Sequence, residues 1–330
     1  MKRILALMLA MLMICLAFAA CSKDEDENEG GTIDLTVTDS DSVYNTGNEN
    51  NDQFYYDYIN GDEVIITGYA GSHALHAITV PEKIDERPVT AIANCAFMSK
   101  TNLTEITLPA TVNNIGVSAF AKCTNLTKVN VPDAVTAVGD SAFQETAITE
   151  ITLPTTLITL GENVFAKCEK LVKVTLPAGK VQEIDTTAEP AVEYTVNVIP
   201  ERLFFGCTAL TEVVWTSAVD RIEAYAFAGC VELTTVPTWS DNATYIGTCA
   251  FAGCAKITAM TIPATLTEIG AYAFYGCSAL ANVTFANPIF LWDLDHPKED
   301  VPDERKAGSE LTAKDLTDTF VAYTWTVVSR

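Results

Sequence analysis

This 330-residue chain is poor in the motifs that carry chemistry. Its three histidines, His73, His76 and His296, form no HExxH arrangement. It has no CxxC pair, so the usual spacing of a structural zinc site is missing. Neither a GxGxxG nor a P-loop sequence is present, and no GxSxG nucleophile elbow. No cofactor or metal is therefore expected. Basic residues are also few, 20 against 43 acidic ones, for a net charge of −23. Such a chain repels nucleic acid and anionic membrane surfaces.

What the chain does have is a repeat. A phenylalanine anchor, preceded by alanine in six of eight copies, recurs at Phe97, Phe120, Phe143, Phe165, Phe204, Phe227, Phe251 and Phe274, in steps of 23, 23, 22, 39, 23, 24 and 23 residues. A fixed period in this range marks a stacked array. In the copy 103–120, Leu103, Ile106 and Leu108 are apolar while Glu105 and Thr107 are polar, the alternation of a half-buried strand. Pro109 ends the strand because it has no N–H to donate. Val112 and Ile115 form a second inward pair, and Gly116 is read as permitting a tight bend. One such unit cannot bury its own apolar side, but stacked units share a continuous core. The expected buried rows are Leu108, Val131, Leu153, Leu176, Trp215, Ile262 and Phe285; then Ile92, Ile115, Val138, Leu160, Ile222, Ile246 and Ile269; then the Phe anchors.

The motif LTxIxLPxxVxxIGxxAFxxC, here LTEITLPATVNNIGVSAFAKC at 103–123, resembles the BspA-type, or treponemal-type, leucine-rich repeats of bacterial surface proteins. The resemblance covers about 54–286. It implies a mostly β solenoid, a right-handed array of about eight to nine coils of some 23 residues with one parallel sheet. The chain departs from the pattern twice. One step is 39 residues long, and Thr146 stands where other coils have cysteine.

In chain order, residues 1–21 read as a signal sequence: Lys2 and Arg3, an apolar run over 4–20, then Phe18-Ala19-Ala20-Cys21. The last four residues resemble a lipobox, which implies lipidation of Cys21 and a lipid anchor in the membrane; the alternative is an ordinary secretory signal cut nearby. Losing Lys2 and Arg3 would take the net charge from −23 to about −25. The acidic run Asp24-Glu25-Asp26-Glu27 resembles a surface-export signal of Bacteroidetes lipoproteins, which implies the outer membrane and the cell surface. Residues 22–52 are too polar to fold alone and read as a tether. Residues 53–74 read as an N-terminal cap hairpin, 75–286 as the solenoid with an inserted hairpin around 185–197, and 287–330 as a C-terminal cap. Within that cap, 287–310 reads as loop, 311–319 as a short helix and 320–328 as a closing strand. LPATV (108–112) and LPTTL (153–157) are strand-ending prolines and not sortase signals, since they lie internally and lack the glycine.

Ten cysteines in an exported chain first suggest disulfides. The spacing points instead to free thiols. Cys123, Cys168, Cys207, Cys230, Cys254 and Cys277 each follow an anchor by three residues, so they form one inward row and point the same way.

The outward strand positions form the candidate binding face: Glu105, Lys128, Glu150, Lys173 and Glu212 in one row, Thr107, Asn130, Thr152 and Thr175 in the other. The first row alternates in sign, so neighbours attract across strands. The strip is polar and lacks stacking aromatics, which fits a protein partner better than a glycan; its bland role is to keep an exposed sheet soluble and in register. The family resemblance implies surface recognition, with relatives that bind host matrix proteins or other bacteria. The leading expectation is a surface-anchored, non-enzymatic recognition protein that binds host matrix or other surface proteins. The alternative is an accessory glycan-binding or nutrient-capture lipoprotein, which Trp239 or Trp292 beside a cleft would favour. An enzyme would need acids converging in the insert or the C-terminal cap, because none lies at an inward repeat position.

Overall fold

A computed structural model describes residues 54–59, 61–69, 76–185, 192–286, 292–295, 316–317 and 324–327. The signal sequence, Cys21 and the acidic stretch 22–52 lie outside the described residues. The described chain is a β-solenoid of about nine turns with parallel sheets. Each regular coil contributes to two ladders and a turn that carries the Phe anchor.

The expectation of one parallel sheet needs correction, because the second apolar pair of each coil is also extended and hydrogen-bonded. The first ladder holds Ala77–Thr79, Glu105–Thr107 and Lys128–Val129, then Glu150–Thr152, Lys173–Leu176 and Glu212–Trp215, then Ala259–Ile262 and Asn282–Phe285. The second runs through Arg87–Ile92, Asn114–Ile115, Ala137–Val138 and Thr159–Leu160, and resumes with Val192–Ile199, Arg221–Ile222, Tyr245–Ile246 and Glu268–Ile269.

The first ladder is broken twice, between Lys128–Val129 and Glu150–Thr152 and between Glu212–Trp215 and Ala259–Ile262; just before the first break, the Asn130 side chain closes the pair with the preceding coil. The Leu108 N–H donates to Asn130 Oδ1 at 2.7 Å, and Asn130 Nδ2 donates back to the Leu108 carbonyl at 2.8 Å. Pro132, two residues on, has no N–H for a ladder. At the other break Val213 N–H donates to Thr235 Oγ1 at 3.2 Å, and Pro237 again removes a donor.

The anchors form a continuous ring stack. All eight are fully buried, with neighbouring centroids 5.1 to 5.8 Å apart. The 39-residue step is no exception: Phe165 and Phe204 are 5.6 Å apart and nearly parallel. The extra residues form an antiparallel hairpin, Gly179–Asp185 with Val192–Ile199. Its return strand rejoins the array where Ile199 pairs with Ile222. The inserted element thus starts and ends at the rim of a coil and leaves the core spacing untouched.

The Ile92 row is buried at every expected position, and Ile199 adds a member that the sequence reading missed. In the other row Leu108, Leu153, Leu176 and Ile262 are buried, whereas Val131 and Trp215 are only partly so. Val131 lies at the first break. Trp215 stands edge-on to Phe204 and Phe227, at 6.5 and 6.3 Å, and is too large to fit beneath them. The Phe285 side chain lies outside the described residues.

Gly116 also needs correction. Its torsion is ordinary, and what it permits is close approach between coils: a Cβ there would meet Asn94 N at 2.6 Å. Left-handed torsions fall instead two residues before and after the anchor, as at Ser118 (φ 53°) and Lys122 (φ 61°). They turn alternate N–H groups toward the next coil, giving Ser118 N to Asp140 O, Phe120 N to Ala142 O and Lys122 N to Gln144 O, each 2.8 Å.

At the N-terminal end, Phe54–Ile59 and Glu63–Tyr69 form a hairpin, and its second strand runs parallel to Arg87–Ile92. Tyr69 covers Phe97 at 6.4 Å. Tyr56 and Tyr58 both donate to Asp85 Oδ2, at 3.0 and 2.7 Å, which holds the Asp85 carboxyl below its ordinary range and pushes Tyr58 up to about 12. Near the C-terminus, Thr324–Val327 pairs antiparallel with Glu268–Ile269. It also pairs with Trp292–Asp295, a strand inside the stretch read as loop. Prolines and charges on both sides hide that strand, which gains its ladder only from a distant partner. Of the expected helix 311–319, only Leu316 and Thr317 are described; Leu316 is buried in the core.

Phe143→Ala should cost about 3–5 kcal/mol, since it opens a ring-sized void inside the stack. Gly139→Ala should cost about 1–3 kcal/mol, because its Cβ would sit 2.6 Å from the Val117 backbone nitrogen. Urea unfolding followed by circular dichroism measures both.

Candidate interaction surface

The register brings the candidate face together in two groups, since the strands of Lys128 and Glu150 are not paired as the alternation predicts. Glu105 lies opposite Lys128, Glu150 opposite Lys173, Lys173 opposite Glu212 and Thr152 opposite Thr175. Lys128 Nζ reaches Glu105 Oε1 at 2.7 Å and Lys173 Nζ reaches Glu212 Oε2 at 3.0 Å. Both pairs are exposed, so each contributes only about 0–1 kcal/mol. They neutralise the face without rigidifying it. Asn130 differs from its neighbours, since both ends of its amide are engaged by the Leu108 backbone. Its amide extends the pairing with the preceding coil past Val129, which the sequence did not reveal.

The break beside Asn130 has a consequence. It opens a groove of about 460 Å³ in the otherwise flat face, lined in part by Asn130, Glu150, Thr152, Lys173 and Thr175. Five of the nine candidate residues thus meet in one concavity. Glu105, Thr107, Lys128 and Glu212 are not among its lining residues. The second break opens another groove, of about 660 Å³, where Trp239 lies with Pro237, Met260 and Pro263. The side chain of Trp292 lies outside the described residues.

The cysteine row offers no reactive site. All eight described cysteines are free. Each thiol of the row donates to the carbonyl of the preceding coil's anchor: Cys123 to Phe97 and Cys168 to Phe143 at 3.0 Å, Cys277 to Phe251 at 3.1 Å. The row therefore does more than fill space, because each thiol adds a second donor, from the next coil, to a carbonyl that also accepts the backbone N–H three residues on, as Phe97 does from Lys100 at 3.1 Å. Where Thr146 replaces cysteine, its hydroxyl donates to its own anchor's carbonyl, that of Phe143, at 2.9 Å. Burial pushes Cys123 and Cys168 up to about 11 and Cys277 to about 12, so the nucleophilic thiolate is suppressed. Among the described residues, no group of three or more His, Cys, Asp or Glu side chains is placed to hold a metal ion.

In the chain from residue 22 onward, which excludes Cys15 and Cys21, a disulfide exchange reagent at pH 8 should titrate Cys95 promptly. The half-buried Cys249 should follow slowly, and the six row thiols should react only after denaturant is added.

The sequence matches the family model of the BspA type leucine rich repeat region in six copies, over residues 69–188 and 191–291. No curated protein matches it. Similar solved structures include the leucine rich repeat protein of T. pallidum, 24% identical, which covers 69% of this chain and 87% of that one with a TM-score of 0.46. A leucine-rich repeat protein of Bacteroides ovatus is 20% identical, covering 70% and 87%, with a TM-score of 0.31. The pneumococcal vaccine antigen PcpA is 15% identical, covering 71% and 80%, with a TM-score of 0.32. With its repeat model matched over more than half of its length, the chain belongs to the BspA type leucine-rich repeat family.

Proposed function

We propose that this chain is a surface-anchored, non-enzymatic recognition protein that binds host matrix or other surface proteins through the face of its first ladder. Membership of a leucine-rich repeat family supports the coarser part of this reading, an interaction scaffold with no catalytic machinery. The observation that carries the finer part is the groove at the Asn130 break. It gathers five outward residues of the candidate face into one concavity on a sheet whose charges are locally balanced. A neutral, threonine-rich face favours partners that bury area by shape and hydrogen bonds, not by bulk charge. In the same proposal, lipidation of Cys21 ties the chain to the outer membrane, the 22–52 stretch sets the array away from the bilayer, and the acidic run at 24–27 serves export to the cell surface.

The test takes the chain from residue 22 onward and measures binding to immobilised matrix proteins and mucin. Lys128→Glu with Lys173→Glu should abolish a binding signal while leaving circular dichroism unchanged, since the two exposed pairs add little stability. A signal that survives the double reversal places the partner elsewhere and refutes the strand-face reading.

A further inference from the structure

The inserted hairpin builds a wall. Thr195 and Val196 of its return strand stand at one end of a groove of about 980 Å³, with Asp220, Arg221, Asp241, Asn242, Thr244, Tyr245, Thr265, Thr267 and Glu268 along it. This groove lies where three successive coils turn into the second ladder, and no other step of the array carries such a wall. It meets the Trp239 groove, for Asp241 and Thr265 line both. The two together run from the half-buried Trp239 ring to the half-buried Tyr245 ring, with the exposed Asp241 side chain at their junction.

The floor is fixed by a buried carboxylate. Asp220 is 6% exposed; its Oδ2 accepts the Asn197 N–H of the hairpin at 2.6 Å, and its Oδ1 accepts the Ser240 hydroxyl. One side chain thus welds the wall to the two coils beside it. Arg221 is committed as well, to Glu223 at 3.0 Å and across the Tyr245 ring at 5.5 Å. The strongest charges of the groove therefore serve the structure. The polar surface that faces a ligand consists of the Asp241 and Glu268 carboxylates, the Asn242 amide and threonine side chains, of which Thr267 already donates to the Thr244 carbonyl at 3.0 Å, beside two aromatic rings.

We propose that this joined groove binds a neutral oligosaccharide. Planar carboxylate and amide groups side by side at Asp241 and Asn242 suit the vicinal hydroxyls of a sugar. The Trp239 and Tyr245 rings suit the apolar C–H faces of pyranose units, each ring having an apolar body and a polar edge. The coil step along this stretch, 5.1 to 5.6 Å between anchors, is close to the length of one pyranose unit in a linear chain. Successive coils can therefore meet successive sugars. The chain's net charge of −23 disfavours uronates, sialylated and sulfated glycans. Under the Tyr245 half of the groove a peptide is the poorer fit, because the strands Arg221–Ile222, Tyr245–Ile246 and Glu268–Ile269 are paired on both sides and offer no open edge for strand addition.

The experiment titrates the full chain with neutral linear tri- and tetrasaccharides of glucose, xylose, mannose and N-acetylglucosamine, with a galacturonic acid oligomer as the charged counterpart. Calorimetry reads affinity and Trp fluorescence reports on Trp239. At least one neutral series should bind and the uronate should not. Asp241→Ala with Asn242→Ala, both at exposed positions, should weaken binding about tenfold or more and leave circular dichroism unchanged. Lys128→Glu with Lys173→Glu should leave sugar binding intact, so this proposal and the strand-face reading fail separately. No neutral saccharide bound at about 1 mM would overturn it. So would sugar binding indifferent to the Asp241 and Asn242 changes, or a groove that takes a lysine-rich peptide in place of every sugar.

Discussion

Everything in this molecule is subordinate to the spacing of one ring. Each Phe anchor must lie flat on the next, 5.1 to 5.8 Å away, and the backbone must supply that distance at every turn. The tight packing behind Gly116 and Gly139 and the left-handed torsions on either side of the anchor follow from this requirement. So do the thiols that bond six of the anchor carbonyls. A protein interior packed this densely tolerates little change in volume. The 39-residue step keeps the spacing only because its extra residues leave and return at the rim of a coil.

Concavity arises where the repeat fails. The regular ladder is flat and self-satisfied, with paired charges and hydroxyls. Grooves occur at the gap that follows Asn130, where Pro237 withholds an N–H, and where the hairpin rises beside Asp220. An array that tolerates a local exception without losing its core can place concave sites on a surface that is otherwise featureless.

Much of the fold was legible because period-two alternation and a fixed step each report burial directly. Ile92, Ile115, Val138 and their successors needed only the pattern. What the pattern could not show are features that depend on a neighbour in space. Trp292–Asp295 is a strand only because Thr324–Val327 reaches it across a long separation. Ser118 and Lys122 adopt torsions usually signalled by glycine, and only the later coils, with Gly206, Gly229, Gly253 and Gly276, betray the position. The alternation points these side chains outward, but the concavity among them was hidden, since it lies at the gap between Lys128–Val129 and Glu150–Thr152, which only the register shows. The groove beside the hairpin was beyond reach for a similar reason: nothing in the sequence says that Asp220 will hold Asn197.

The bonds across the anchor turns all run one way. Phe97 donates to the coil after it, as do Phe120, Phe143 and Phe251. At its anchor turn each interior coil thus presents backbone acceptors to its predecessor and backbone donors to its successor, while its thiol and ladder N–H groups such as that of Gly139 donate the other way, in the manner of a building block with a stud and a socket. A duplicated coil spliced into the middle meets the same neighbours as the original and leaves both ends unchanged. Length is therefore a free variable for a gene that encodes such an array, while the two terminal hairpins, unlike each other and unlike the coils, are the parts that cannot be copied or exchanged.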